Sequence, residues 1–420
     1  MNSSPWHRTK LCLLFCLQAH GIGLWYVPLS NVLRAHGLEH ITPYAFSCSS
    51  IAAFISPMFV AALADRHFSA ERILRWLLIG GGLFLVLTSM AIRDGWGPFW
   101  VLAMLQLEQL CAAPTWSLST SIVLASLTNP ERQFGPIRAW STFGWMASGL
   151  LLSFGLHADN STLSGFAAAV VWFGVAAFTL LLPKVQPASS GKHRSWRELL
   201  GWDAFVLLRN RDHRTVFVTA ALFSAPLAAF DPFAAMHLRD LGEPRVSAAM
   251  ALGQISEAIA MYALAPLFSR FRLKWIFFAG ICFGIVRYAL FSLDTRTWVM
   301  IGVSLHGFCF TLFFISAQIY LERRVDPQFR TRAQALMSFM MAGIGNLTGA
   351  LGTGWWRDAC AVGGRTNWSL YWIVLCGVTA GVGIYFLFSY RGLSGLRPPG
   401  DGTAGELPET AEPLAVPARE

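Results

Sequence analysis

Charge is what this sequence has least of. Of its 420 residues only 13% are Asp, Glu, Lys or Arg and 55% are apolar, whereas a soluble domain carries roughly 25% charged residues and 45–50% apolar ones. A water-soluble fold of this length needs charge to cover its surface, so the deficit excludes an ordinary soluble protein. No CxxC pair occurs among the eight cysteines, which argues against a disulfide framework or a zinc site. The cysteines read as small apolar packing residues. The chain also lacks a GxxxxGK(S/T) phosphate loop and an HExxH pair, which speaks against an ATP-driven pump and a metalloenzyme. No metal and no cofactor is expected, and the driving force would be a proton gradient.

What is present is a series of apolar stretches. Twelve run through the chain, at 11–32, 42–64, 74–92, 97–122, 137–156, 164–183, 214–236, 247–268, 274–293, 297–320, 333–354 and 368–390. Each is about 20 residues long, the length that crosses a bilayer core. The expected fold is therefore an all-α membrane protein with twelve transmembrane helices in two six-helix halves. The longest internal polar stretch, Lys184 to Arg214, divides them. Residues 1–183 form the first half, 184–213 a cytoplasmic linker and 214–391 the second half. Residues 392–420, rich in Pro, Gly and Glu, form a disordered cytoplasmic tail. The apolar run behind His7, Arg8 and Lys10 continues to Val32 without an early small-residue cleavage site, so it reads as the first span, not a removable signal.

The net charge of +9 would raise a nucleic-acid reading in a soluble protein. Here most basic residues crowd into short loops on one side of the spans, while Arg34, Arg93, Arg239, Arg245, Arg296, Arg357 and Arg365 fall on the other. Loops rich in Lys and Arg stay cytoplasmic, which places both termini inside and makes lipid, not nucleic acid, the partner. Two short basic loops stand at matching places in the halves. Asp65-Arg66 follows span two, and Ser269-Arg270-Phe271-Arg272-Leu273-Lys274 follows span eight. That is the pattern of a parallel internal repeat.

Charges inside spans carry most of the functional information, because one at mid-bilayer costs roughly 2.5–3.5 kcal/mol on insertion scales. They are Glu108, Arg138, Asp231, Glu257 and Arg287. Arg138, Thr142 and Trp145 are spaced i, i+4, i+7 and share a helix face. A cation, a hydroxyl and an aromatic plate on one face suit a ligand made of a sugar and a base; the alternative is an Arg138 that snorkels to the inner interface. Gln254 and Glu257 also share a face, and a carboxyl group in a low-dielectric cavity binds and releases protons near neutral pH. Glu257 is therefore the first choice for proton coupling, with Asp231 and Glu108 as further candidates; Glu108 could instead pair with Arg138. Asp231 precedes Pro232 and stands either in a broken helix at a transport site or at the end of a helix. Phe310 and Phe314, spaced i, i+4, offer stacking or plain packing. His20 and His306 are lone intramembrane imidazoles that read as satisfied structural residues, with proton relay as the alternative. Gly345-x-x-x-Gly349 permits close helix contact.

The Asp65-Arg66 loop within a six-plus-six architecture resembles the major facilitator superfamily. The segment Phe134-Gly135-Pro136-Ile137-Arg138-Ala139-Trp140-Ser141-Thr142-Phe143-Gly144-Trp145 is similar to the span-five motif of the nucleoside:proton symporter family. So are Gly253-Gln254-Ile255-Ser256-Glu257, Arg287-Tyr288 and Arg330-Thr331-Arg332-Ala333-Gln334. The resemblance runs to about Tyr390. It implies a major facilitator fold and proton-coupled uptake of a small polar solute, best known to be a nucleoside, by a monomer in the bacterial inner membrane. It also implies solute binding by Arg138, Thr142, Trp145, Gln254, Glu257, Phe310 and Phe314, and gating by Asp65 and Arg66. Where the family carries a Gln and an Asn in span seven, this chain has Ala228 and Asp231, and Trp145 stands at a Phe position. A lost amide and a gained carboxylate alter solute hydrogen bonding, which keeps a sugar, an aromatic acid or a peptidoglycan fragment as alternatives. The short loops leave no room for a soluble output domain, so a non-transporting sensor is a remote alternative.

Overall fold

The computed structural model describes residues 5–64, 69–128, 130–184, 202–326 and 329–392. Helices occupy all twelve expected stretches. In chain order they are α1 (Trp6–Ala35), α2 (Thr42–Ala64), α3 (Ala70–Arg93), α4 (Pro98–Ala125), α5 (130–156, built from Pro130–Arg138, Trp140–Leu150 and Leu151–Leu156) and α6 (Leu163–Leu181). Then follow α7 (Arg211–Asp240), α8 (Val246–Arg270), α9 (Leu273–Ser292), α10 (Arg296–Arg324), α11 (Arg332–Ala359) and α12 (Trp368–Ser389). Among the described residues nine of them, all but α2, α4 and α5, are long and apolar enough to cross a membrane by length and composition. Their outer faces expose Val170, Leu180, Tyr262, Ile384 and Phe388, side chains that suit hydrocarbon and not water.

Three boundaries differ from expectation in ways that matter. Helix α5 begins at Pro130, where a missing N–H is no loss in the first turn; Arg138 is therefore inside the rod and not at its start. Helix α7 begins at Arg211, where the Asn210 side chain accepts from the backbone N–H groups of Asp212 (2.9 Å) and His213 (3.2 Å). It runs on to Asp240, so Asp231 is an interior residue and not a helix end. Of the linker expected over 184–213, residues 185–201 lie outside the described residues, and Trp202–Arg209 forms a 3₁₀ helix. The 393–420 tail lies outside the described residues. Among the described residues the fold is all-α apart from one tiny hairpin, in which Ala361–Val362 pairs with Arg365–Thr366. Gly363 and Gly364 both take positive φ there, as a two-residue hairpin turn of this kind requires.

Packing repeats between the halves. In the first, α3 packs on α4 and α6, α1 on α5 and α6, and α2 on α4. In the second, α9 packs on α10 and α12, α7 on α11 and α12, and α8 on α10. Adding six to each helix number of the first set gives the second. The contacts between the halves obey the same rule, since α2 meets α11 and α5 meets α8. Inside the second half, α11 and α7 touch backbone to backbone. A Cβ on Gly345 would fall on the Ala221 carbonyl, and one on Gly349 on the backbone of Ala225. The two pairs match because both are one helical turn apart.

Polar contacts tie the halves together at the helix ends opposite the N-terminus. Arg34 of α1 bonds Asp240 of α7 at 2.6 Å, and Glu39 bonds Arg357 of α11 at 2.7 Å. Trp368 Nε1–H donates to the other Asp240 oxygen at 2.8 Å. Asp159, buried in the α5–α6 connection, accepts from the Ser247 N–H at 2.6 Å and so caps α8 from across the interface.

The glycine seam generates a prediction. Gly349→Ala drives a methyl into backbone that cannot yield and lowers stability by about 1–3 kcal/mol. Gly352, on the same helix, faces open space, and Gly352→Ala leaves stability unchanged or raises it by up to about 1 kcal/mol through helix propensity. Thermal unfolding of the two detergent-solubilised variants, side by side, checks the contrast.

Candidate substrate and proton site

The seam between the halves encloses a cavity of about 480 Å³. Its wall draws Tyr26 from α1, Ser49 from α2, Glu108, Gln109 and Trp116 from α4, and Arg138, Thr142 and Trp145 from α5. The second half supplies Phe230 and Asp231 from α7, Gln254 and Glu257 from α8, and His306 and Phe310 from α10. A chamber of about 190 Å³ shares Tyr26, Ser49, Asp231, His306 and Phe310 and extends past Ala228, Phe314, Met341 and Asn346.

Arg138 is held in shape by its own half. Its Nη1 donates to Ser141 Oγ, and that hydroxyl donates to the Arg138 carbonyl at 2.8 Å. The guanidinium lies 4.2 Å from the Trp116 ring centroid and 5.6 Å from that of Phe15, within the range of cation–π attraction. From this platform it attracts Glu257 of the opposite half. Arg138 therefore does not snorkel to the interface. It faces inward, one turn from Thr142 and two from Trp145, whose ring packs edge-on to Tyr26 at 6.4 Å.

The three acids differ. Glu257 is half-buried and set against Arg138. Its helix comes close to α10, where the Gly307 N–H donates to Ser256 Oγ at 3.0 Å. Glu108 is buried at 1% exposure, and among the described residues its Oε2 has no hydrogen-bond partner. It forms no ion pair among the described residues, so the expected pairing with Arg138 is not made: Trp116 and Ser141 occupy the guanidinium and its charge faces Glu257. Asp231 sits in the π-helical turn Phe230–Ala234, and Pro232 behind it explains the irregularity, because it has no N–H to give to the helix. Arg287 of α9 attracts Asp231. Among the described residues no group of three or more His, Cys, Asp or Glu side chains could hold a metal.

The cavity thus gathers Arg138, Thr142, Trp145, Asp231, Gln254, Glu257, Phe310 and Glu108. Phe314 is not with them. It is buried, stacks on Phe223 at 5.6 Å and reaches only the side chamber. Asp65 and Arg66 lie outside the described residues. His20 is structural as expected, its Nδ1 3.1 Å from the Gly144 carbonyl. His306 is not merely structural, because it lines both chambers. Sequence reasoning also passed over Tyr26, Trp116 and Gln109. Trp116 stands two turns along α4 from Glu108, a spacing that could have placed it on the same face.

Comparison with known proteins fits this geometry. The model of the nucleoside H+ symporter family matches residues 7–394. The chain belongs to that family. Over 404 residues it is 32% identical to YegT of Escherichia coli strain K12, a transporter named for nucleosides, covering 91% of this chain and 93% of YegT. The xanthosine permease of the same organism is 26% identical over 91% of this chain and 95% of its own. The crystal structure of the nucleoside transporter NupG has a TM-score of 0.81 at 24% identity, over 93% of this chain and 100% of that one, which gives the fold as that of the major facilitator transporters. The protein is accordingly an integral membrane secondary transporter and not an enzyme.

Arg138→Lys keeps the charge and loses the planar face on Trp116. It should lower transport at least tenfold while size-exclusion profile and thermal stability stay near those of the unmodified protein; transport in proteoliposomes, read beside both, checks this.

Proposed function

We propose that this chain imports a nucleoside together with a proton, by alternating exposure of the cavity between its two halves. The observation that carries the reading is the opposition of Arg138 and Glu257, one from each half, across a cavity that also offers amides and aromatic faces. Arg138 and Thr142 hold the ribose hydroxyls, Trp145 and Phe310 pack on the base, and Gln254 bonds polar edges. Glu257 carries the proton. When it is charged it attracts Arg138 and closes the halves on each other; when it is protonated that attraction lapses and Arg138 is free for solute. Asp231 and Glu108 stand by as further proton-binding groups, and Asp65 and Arg66 act at the gate. The carrier works as a monomer in the bacterial inner membrane with both termini cytoplasmic, divided into two halves, a linker and a tail, and needs no cofactor beyond the proton gradient. A different small solute is the second reading, favoured by the side chamber that opens past Ala228.

Proteoliposomes given labelled uridine or adenosine and an inward proton gradient test this directly. Uptake rises above equilibrium as external pH falls below internal pH, because protons then enter with the solute. Glu257→Gln abolishes accumulation but preserves exchange of labelled for unlabelled nucleoside. Accumulation by that variant at the unmodified level would remove Glu257 from the coupling step.

A further inference from the structure

One residue in the cavity wall has its chemistry dictated from behind. Arg287 is fully buried at 0% exposure. Its Nη1 lies 2.9 Å from His306 Nδ1, and its Nη2 donates to Tyr288 Oη at 3.0 Å. Tyr288 in turn donates to the Pro226 carbonyl at 2.6 Å. A guanidinium has donors only, so His306 Nδ1 must accept. The neutral ring then carries its proton on Nε2. Among the described residues Nε2 makes no hydrogen bond, and the ring borders both chambers. The imidazole cannot turn away, since it stacks on Phe230 at 4.1 Å and 6° and lies near-parallel to Phe310 at 6.2 Å. Asp231, next to Phe230 in the chain, borders the same two chambers. Its carboxylate accepts where the imidazole donates.

We propose that His306 and Asp231 are the specificity-determining pair of this transporter. Nε2–H of His306 donates to a carbonyl oxygen of the base, and Asp231 accepts from the ring N–H beside it. Arg287 is a positioning residue that fixes the tautomer. The solute class is a nucleoside whose base presents a hydrogen-bond donor next to an acceptor along one edge. This rests on the nucleoside reading and adds how the base is selected. A site built to bond an N–H discriminates strongly against an analogue without it, because its own polar group is left unpaired.

The test is competition with labelled uridine uptake in proteoliposomes by unlabelled uridine and by 3-methyluridine, in which the ring N–H is blocked. The unmodified protein should bind 3-methyluridine at least tenfold more weakly. Asp231→Ala should shrink that ratio below threefold. His306→Phe should weaken uridine at least tenfold, while His306→Gln, which keeps a donor near the position of Nε2, should stay within threefold. Equal competition by the two nucleosides overturns the pair while the nucleoside reading stands. A folded His306→Phe protein with unchanged uridine affinity does the same. Absence of any nucleoside uptake overturns both. If His306→Phe fails to fold, ¹⁵N-histidine resonances of the unmodified protein decide the tautomer: a His306 proton on Nε2 supports the pair, and one on Nδ1 refutes it.

Discussion

The expense of placing charge in hydrocarbon organises this molecule. Each intramembrane charge must face another polar group or a wet cavity, and here the seam between the halves supplies the cavity. Glu108, Arg138, Asp231 and Glu257 all reach that seam, and Arg287 sits one layer behind, paired with His306 and Tyr288. The lipid-facing surfaces are left to Val170, Tyr262, Ile384 and Phe388. Burial of the charges and assembly of the site are one event, because the cavity exists only when both halves contribute their walls.

The repeat explains why that seam is the place of movement. Among the described residues the halves meet mainly where α2 packs on α11 and α5 on α8, two contacts equivalent under the shift of six helices, with a further contact of α1 on α7. Contacts within each half are broader and include backbone-to-backbone seams such as α11 on α7. The ties at one end, Arg34 to Asp240, Glu39 to Arg357 and the Asp159 cap on α8, are polar and partly wet. Exposed ion pairs are each worth about 0–1 kcal/mol, a strength suited to contacts that form and break in every cycle, whereas the apolar packing inside a half is not.

Within the site, orientation and protonation are set by neighbouring side chains. Trp116 and Ser141 fix the plane of Arg138, and Arg287 fixes the proton of His306. Helices α7 and α10 each carry a π-helical turn beside the cavity wall, Phe230–Ala234 and Thr311–Ile315, the kind of irregular backbone common at functional sites. Ala228 borders the side chamber beside Asp231.

The spans, the two halves and the identity of the intramembrane charges were legible in the sequence, because hydrophobic length and charge cost are local properties. The shared face of Arg138, Thr142 and Trp145, and that of Gln254 and Glu257, followed from helical spacing alone. The Gly345–Gly349 contact was legible as a capacity for close approach, but not its partner on α7. Which charge faces which depended on the tertiary structure. Glu108 was a candidate partner for Arg138 because they stand on successive spans, yet the fold turns Arg138 toward Trp116, Ser141 and Glu257. Asp231 could not be assigned to helix interior or end until the cap at Asn210 and the run to Asp240 were seen. His306 reads as an isolated imidazole in sequence, since the residue that orients it lies on another helix. Periodicity along one helix fixes which residues share a face. Only packing decides which faces meet, and the chemistry of this site lies in the meeting.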